Sequence, residues 1–191
     1  MALTRSPTLT TLSLFVVVLL LQSVASVGGV LAGLFVLSPP ITANPWTLVT
    51  SVYAHAGVGH LLANAVALLL PGLLLERQTT AVRFHAFFVT AGALSGVAEV
   101  TVGSLVGTPT GVLGASGAVL AVIGYVVAGN RLTDAAVGGV AVSGRVKVAV
   151  FAVVAVAVTL ATGAPGVALV AHFTGLFVGL LAGRAHLLRR E

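Results

Sequence analysis

The sequence predicts an all-α membrane bundle of six spanning helices with both termini in the cytoplasm. Three observations predict it. The chain is 58% hydrophobic and only 7% charged, whereas a soluble globular domain carries roughly 25% charged residues. Its apolar residues fall into long runs separated by short polar stretches. All nine Lys and Arg residues sort to alternate connections between those runs.

A spanning helix needs about 20 mostly apolar residues. Runs at about 13–37, 58–75, 84–102, 112–129, 147–161 and 167–183 meet or approach that length, the fifth being short. Arg5 precedes the first run, and Arg77 and Arg83 separate the second from the third. Arg131, Arg145 and Lys147 lie between the fourth and the fifth, and Arg184, Arg189 and Arg190 follow the sixth. The opposite connections hold no basic residue. Positive charge collects on the cytoplasmic side, so the alternation sets the topology. The first run exceeds the h-region of a cleaved signal peptide, about 7–15 residues, and is expected to remain as a span.

The 191 residues make a single membrane domain, with a core at about 45–183 and short cytoplasmic tails. A multi-pass protein of the cell membrane is expected, with the lipid bilayer as its surroundings. The net charge of +5 then reports topology, and no nucleic-acid partner is expected. The absence of cysteine excludes a disulfide, a thiolate nucleophile and a cysteine-ligated metal.

Polar residues inside such runs are costly and mark function. In this topology the second, fourth and sixth spans all run from outside to inside. His60 and Asn64 fall in the first turns of the second span. Ser116 lies about five residues into the fourth, roughly 7 Å at 1.5 Å per residue, and His172 lies at a similar depth in the sixth. A hydroxyl and an imidazole are the nucleophile and base of acyl-transfer chemistry. His60 and Asn64, four apart, share a helix face. Both can donate hydrogen bonds to the negative oxygen of a tetrahedral intermediate. The Ser116 backbone amide, near a helix start, adds a third donor and a favourable dipole.

Small residues supply the close approach. Gly117, Ala121, Gly124 and Ala128 line the fourth span, and Gly175, Gly179 and Gly183 line the sixth. Small residues at this spacing let membrane helices meet backbone to backbone, which a hydroxyl–imidazole contact of about 2.6–3.2 Å requires. Among the acidic residues, Glu76, Asp134 and Glu191 fall on the cytoplasmic side, and only Glu99 is a candidate to orient the imidazole. A Ser-His dyad is therefore expected. His55 is read as a brace of the outer loop, His85 and His186 as interface residues, and Gln22 as an interhelical hydrogen-bonder. No carboxylate or cysteine accompanies His55 and His60 to complete a metal site, so neither metal nor cofactor is expected.

These residues resemble the rhomboid family of intramembrane serine proteases. The resemblance covers about Pro45 to Gly183. Pro45-Trp46-Thr47-Leu48-Val49-Thr50, Tyr53-Ala54-His55, His60 and Asn64 resemble the family's first outer loop and its HxxxN helix. Gly114-Ala115-Ser116-Gly117 matches the GxSG motif, Ala171-His172-Phe173-Thr174-Gly175 with Gly179 matches AHxxGxxxG, and Glu76-Arg77 resembles a cytoplasmic turn. The resemblance implies Ser116 as nucleophile, His172 as general base, and His60 and Asn64 as oxyanion donors. It also implies single-span membrane proteins as substrates, entering sideways from lipid, with water reaching the site from the outer face.

Two positions depart from the family pattern. Thr47 stands where arginine usually follows the tryptophan. Leu120 stands where a tyrosine usually packs on the catalytic histidine. Two other readings compete with a protease. A catalytically inactive rhomboid-like protein that binds membrane helices typically lacks the Ser116 and His172 pair. A small transporter calls for ionisable residues at the midplane or inverted repeats, and the sequence shows neither.

Overall fold

The computed structural model describes residues 6–108, 111–129, 143–161, 163 and 166–190. Arg5, Arg131, Asp134 and Glu191, with most of the connection between the fourth and fifth runs, lie outside the described residues.

The first apolar run divides into two helices. Ser6 accepts a hydrogen bond from the Leu9 amide at 3.2 Å and Pro7 occupies the first helical position, so α1 (Pro7–Val27) starts ahead of the apolar run. It ends at Gly28-Gly29, where Gly29 has φ +71°, a conformation that glycine reaches without steric cost. The expected span at 13–37 is therefore corrected. Its last residues form a separate short helix, α2 (Leu31–Phe35). Hydropathy counted apolar residues across a backbone break that the glycine pair imposes.

The connection that follows α2 is a folded layer. After a 3-10 turn, α3 (Thr47–Tyr53) is tied to α2 by two bonds. Trp46 Nε1 donates to the Gly33 carbonyl at 2.9 Å, and Thr50 Oγ1 to that of Leu34 at 2.6 Å. Thr47, standing where the family usually has arginine, is buried and donates to the Asn44 carbonyl at 2.6 Å. Then follow α4 (Val58–Glu76), α5 (Ala81–Leu105), α6 (Ser116–Ala128), α7 (Gly144–Ala161) and α8 (Leu169–Arg184).

Helices α1, α4, α5 and α7 are long and apolar enough to cross a membrane. The short ones are not where the runs placed them. The fifth run becomes an 18-residue helix, while α6 has 13 residues and α8 has 16. At 1.5 Å per residue these two extend roughly 20 and 24 Å, less than the ~30 Å hydrocarbon core. The helix of the fourth run thus begins at Ser116 rather than 112, because a bridge at Val112 and a turn at Gly114 precede it. Val112 pairs with Leu37 through two backbone bonds of 2.9 and 2.8 Å, and Gly114 has φ +140°.

Helix α6 occupies the centre, against α4, α5 and α8. Ala118, Ala121, Val122, Tyr125 and Ala128 on it are buried, and Phe15, Leu68, Leu75, Phe84 and Phe88 complete the core. The outer faces are apolar: Val16, Leu20 and Val24 on α1, Val66 and Leu70 on α4, and Val153 and Leu160 on α7 are exposed. A contiguous apolar exterior of this kind is a liability in water and the ordinary surface of a helix in lipid. Among the described residues the chain is all-helical apart from one isolated bridge, and its architecture is that of a multi-pass membrane bundle.

The end of the bundle that carries the basic residues is tied together by its own hydrogen bonds. Glu76 Oε2 accepts from Ser6 Oγ at 2.7 Å and from the Thr8 amide at 3.2 Å, capping α1 from the end of α4. Arg83 donates to the Arg189 carbonyl, and Arg190 to that of Thr79, both at 2.7 Å.

The seam between α6 and α8 admits no side chain. A Cβ on Gly175 would collide with the backbone of Gly117, one on Gly179 with that of Ala121, and one on Gly183 with that of Tyr125. Overpacking of this kind costs about 1–3 kcal/mol. Gly179→Val is expected to lower the thermal unfolding midpoint in detergent by several degrees. Gly33→Ala, which meets nothing within 4 Å, is expected to leave it within a degree or so, about the scatter of neutral surface changes.

Candidate functional site

Ser116 is the first residue of α6. Its amide is one of the backbone donors for which a helix start provides no internal partner, at the positive end of the helix dipole. The turn before it is fixed from outside. The Gly114 amide donates to the Ser51 carbonyl at 2.9 Å, and the Leu37–Val112 pair holds the preceding residues. A Cβ on Gly114 would lie 2.8 Å from His60 Cε1, 3.2 Å from His60 Nε2 and 3.9 Å from Ser116 Oγ. Only glycine fits there. The imidazole of α4 and the hydroxyl of α6 therefore flank one point of backbone.

His60 sits in the first turn of α4, and its Nδ1 accepts the Ala56 amide at 3.3 Å. In a neutral imidazole whose Nδ1 accepts, the proton resides on Nε2. Nε2, the nitrogen near Gly114, is then a donor. Asn64, one turn on, is buried, and its Nδ2 donates to the His60 carbonyl at 2.9 Å. An amide nitrogen has two N–H bonds, so one remains for a ligand.

His172 is the fourth residue of α8. The residues beside it and beside Ser116 approach closely: a Cβ on Gly117 would lie 3.4 Å from the Ala171 carbonyl oxygen. The ring's Nδ1 is buried and has no hydrogen-bond partner among the described residues. Glu99, the one candidate for an orienting carboxylate, directs its Oε2 instead to the Ala171 amide at 2.9 Å. Leu120 lines the same space and, like Phe151, Phe173 and Phe177, packs against the buried cluster of Ala128, Ala155, Leu176 and Leu180. Tyr125 is remote from it: its hydroxyl accepts the Leu188 amide at 3.0 Å, and its ring meets Phe87.

One cavity of about 880 Å³ joins these groups, lined by His60, Asn64, Glu99, Gly114, Ser116, Gly117, Leu120 and His172 among others. The structure thus brings Ser116, His172, His60 and Asn64 to one place, each within the first turns of its helix. The expected depth of Ser116, five residues into a helix, is corrected: it starts one. Among the described residues no group of three or more His, Cys, Asp or Glu is arranged to hold a metal.

Two supporting residues stand behind the cavity. Gln22 of α1 grips the backbone before α4, donating from Nε2 to the His55 carbonyl at 3.1 Å and accepting the His55 amide on Oε1 at 2.9 Å. The sequence marked Gln22 as a hydrogen-bonder but gave no hint of its partner, 33 residues away. The His55 ring is buried edge-on against Phe15 at 4.7 Å and against His60 at 5.3 Å. Burial first, and repulsion from His60 second, push its pKa down from 6.5 to about 4.

The unfolded chain therefore binds a proton at His55 that the folded chain refuses between those values. This contribution to stability is present above pH 6.5 and is lost as the pH falls towards 4. The unfolding midpoint in detergent is expected to fall across that window, and His55→Phe to flatten the fall. Gln22→Leu, which leaves the buried His55 backbone groups unpaired, is expected to cost about 1–3 kcal/mol by chemical denaturation.

Residues 42–189 match a family model described as the Rhomboid domain. The chain is 32% identical over 145 residues to RHOMBOID-like protein 4 of Arabidopsis thaliana, covering 75% of this chain and 34% of that protein. It is 29% identical over 147 residues to RHOMBOID-like protein 1 of the same plant, covering 76% and 36%. The matched region spans about a third of the length of each curated relative. With the family model covering most of the chain, on a helical membrane bundle, this protein belongs to the rhomboid family.

Proposed function

We propose that the chain is an intramembrane serine endopeptidase that cleaves membrane-spanning helices near the outer membrane face. The observation that carries this reading is the single cavity shared by Ser116, His172, His60 and Asn64. Ser116 Oγ attacks the carbonyl carbon of the scissile peptide bond while His172 takes the hydroxyl proton. The carbonyl oxygen becomes negative and is held by His60 Nε2–H, Asn64 Nδ2–H and the Ser116 amide. His172 returns the proton to the leaving amine, the C–N bond breaks and an acyl-enzyme remains. Water, deprotonated by His172, then attacks the ester carbonyl, the C–Oγ bond breaks, His172 returns the proton to Ser116 Oγ and the carboxylic acid product leaves.

The short lengths of α6 and α8 support the location. Helices of roughly 20 and 24 Å, ending at the basic face, begin below the opposite surface of a ~30 Å hydrocarbon layer. A cavity at their starts is then shallow enough for water and deep enough for a substrate helix to reach from lipid. With the basic end facing the cytoplasm, the cavity opens outward and both termini are cytoplasmic. The plasma membrane is the proposed location, and single-span proteins are the proposed substrates. An inactive helix-binding relative is the competing reading, and the retained Ser116 and His172 favour the enzyme.

In liposomes carrying a single-span reporter, the wild type is expected to cleave, and Ser116→Ala and His172→Ala to reduce cleavage below detection while still folding. Asn64→Ala is expected to lower kcat by about 10²-fold, the usual loss for one oxyanion donor. Cleavage surviving Ser116→Ala overturns the mechanism. Absence of cleavage by the wild type, with the reporter bound, favours the inactive reading.

A further inference from the structure

We propose that Glu99 is a positioning residue for His172, acting from α5 as the cap of the helix that carries the imidazole. This inference rests on the protease reading above. Helix α8 follows Ala168, whose side chain makes no cap, and there is no acidic residue in its first turn. The His172 amide is satisfied by the Ala168 carbonyl at 3.0 Å. The amides of Leu169, Val170 and Ala171 have no partner within the helix, as at any helix start.

The Ala171 amide is met by Glu99 Oε2 at 2.9 Å, from a residue 72 positions earlier in the chain. A carboxylate accepting from a helix start combines a charge-assisted bond with a favourable dipole. This bond attaches one peptide unit before His172, so it sets the rotation and height of the turn that bears the ring. The neighbouring observation gives the bond its importance. His172 Nδ1 has no partner among the described residues, so no side chain there orients the ring through that nitrogen. In a triad the carboxylate holds the imidazole itself; here a carboxylate holds the backbone next to it. Glu99 also lines the cavity, alongside Ser95, whose hydroxyl is occupied by the Ala91 carbonyl at 2.7 Å.

The test uses the full chain in liposomes. Reporter kcat and KM are measured for wild type, Glu99→Gln and Glu99→Ala, together with hydrogen exchange of the backbone amides over 169–172. Glu99→Gln keeps an acceptor for the Ala171 amide, and Glu99→Ala keeps none. Glu99→Ala is expected to lower kcat about tenfold with KM within about twofold, and to speed exchange of those amides. Glu99→Gln is expected to stay within about threefold of wild type.

A KM rise with kcat intact, or equal damage from both variants, overturns the proposal; so does an unchanged Glu99→Ala. Should Glu99→Ala fail to fold, Glu99→Asp carries the test. It retains charge but withdraws the oxygen by one methylene, and kcat equal to wild type overturns the proposal. If the wild type cleaves nothing, the protease reading fails by itself, and amide exchange alone decides whether Glu99 caps α8.

Discussion

Helix α8 lies on α6 with its glycines against main chain: Gly175 over Gly117, Gly179 over Ala121 and Gly183 over Tyr125. In lipid there is little hydrophobic gain from pairing two apolar helices, and association depends on close packing. Dispersion contacts fall away steeply with distance, so the seam is a contact that a methyl group would open. Its consequence is positional. At the N-terminal end of both helices the seam sets Gly117 beside Ala171, one residue from Ser116 on one helix and one from His172 on the other. The rest of the candidate site is arranged around that crossing.

A second layer of organisation satisfies polar backbone where the helices stop. Membrane surroundings penalise unpaired amides and carbonyls, and the bundle meets this with contacts across long sequence separations. Leu37 pairs with Val112, Ser51 with Gly114, and Gln22 with both backbone groups of His55. Glu76 and Glu99 do the same for the starts of α1 and α8. The glycine at 114 is a point where these constraints meet. The chain there must turn sharply, pass the His60 ring and deliver Ser116 to a helix start, and no residue with a Cβ satisfies all three.

Periodicity and charge made much of this readable. The run at 58–75 coincides with α4 to within a residue, and the small-residue stripes correspond to a real seam. His60, Asn64, Ser116 and His172 were singled out by type and depth, and they share one cavity. Hydropathy failed where local backbone chemistry overrode it. Gly28-Gly29 cut the first run, and the Val112 bridge and the Gly114 turn delayed α6 to Ser116. The partners of Gln22, Glu99 and Tyr125 were not readable at all, because each is a contact between residues far apart in sequence with no periodic signature.

A serine activated as a nucleophile by His172 displaces fluoride from a fluorophosphonate and becomes phosphonylated, whereas ordinary serines stay unmodified, so this reagent tests the proposed role of Ser116. After incubation with the folded protein in liposomes, mass spectrometry locates any adduct. A single adduct is expected on Ser116 of the wild type, absent from a folded His172→Ala variant. An unmodified Ser116 in the wild type, or equal modification without His172, would contradict that role.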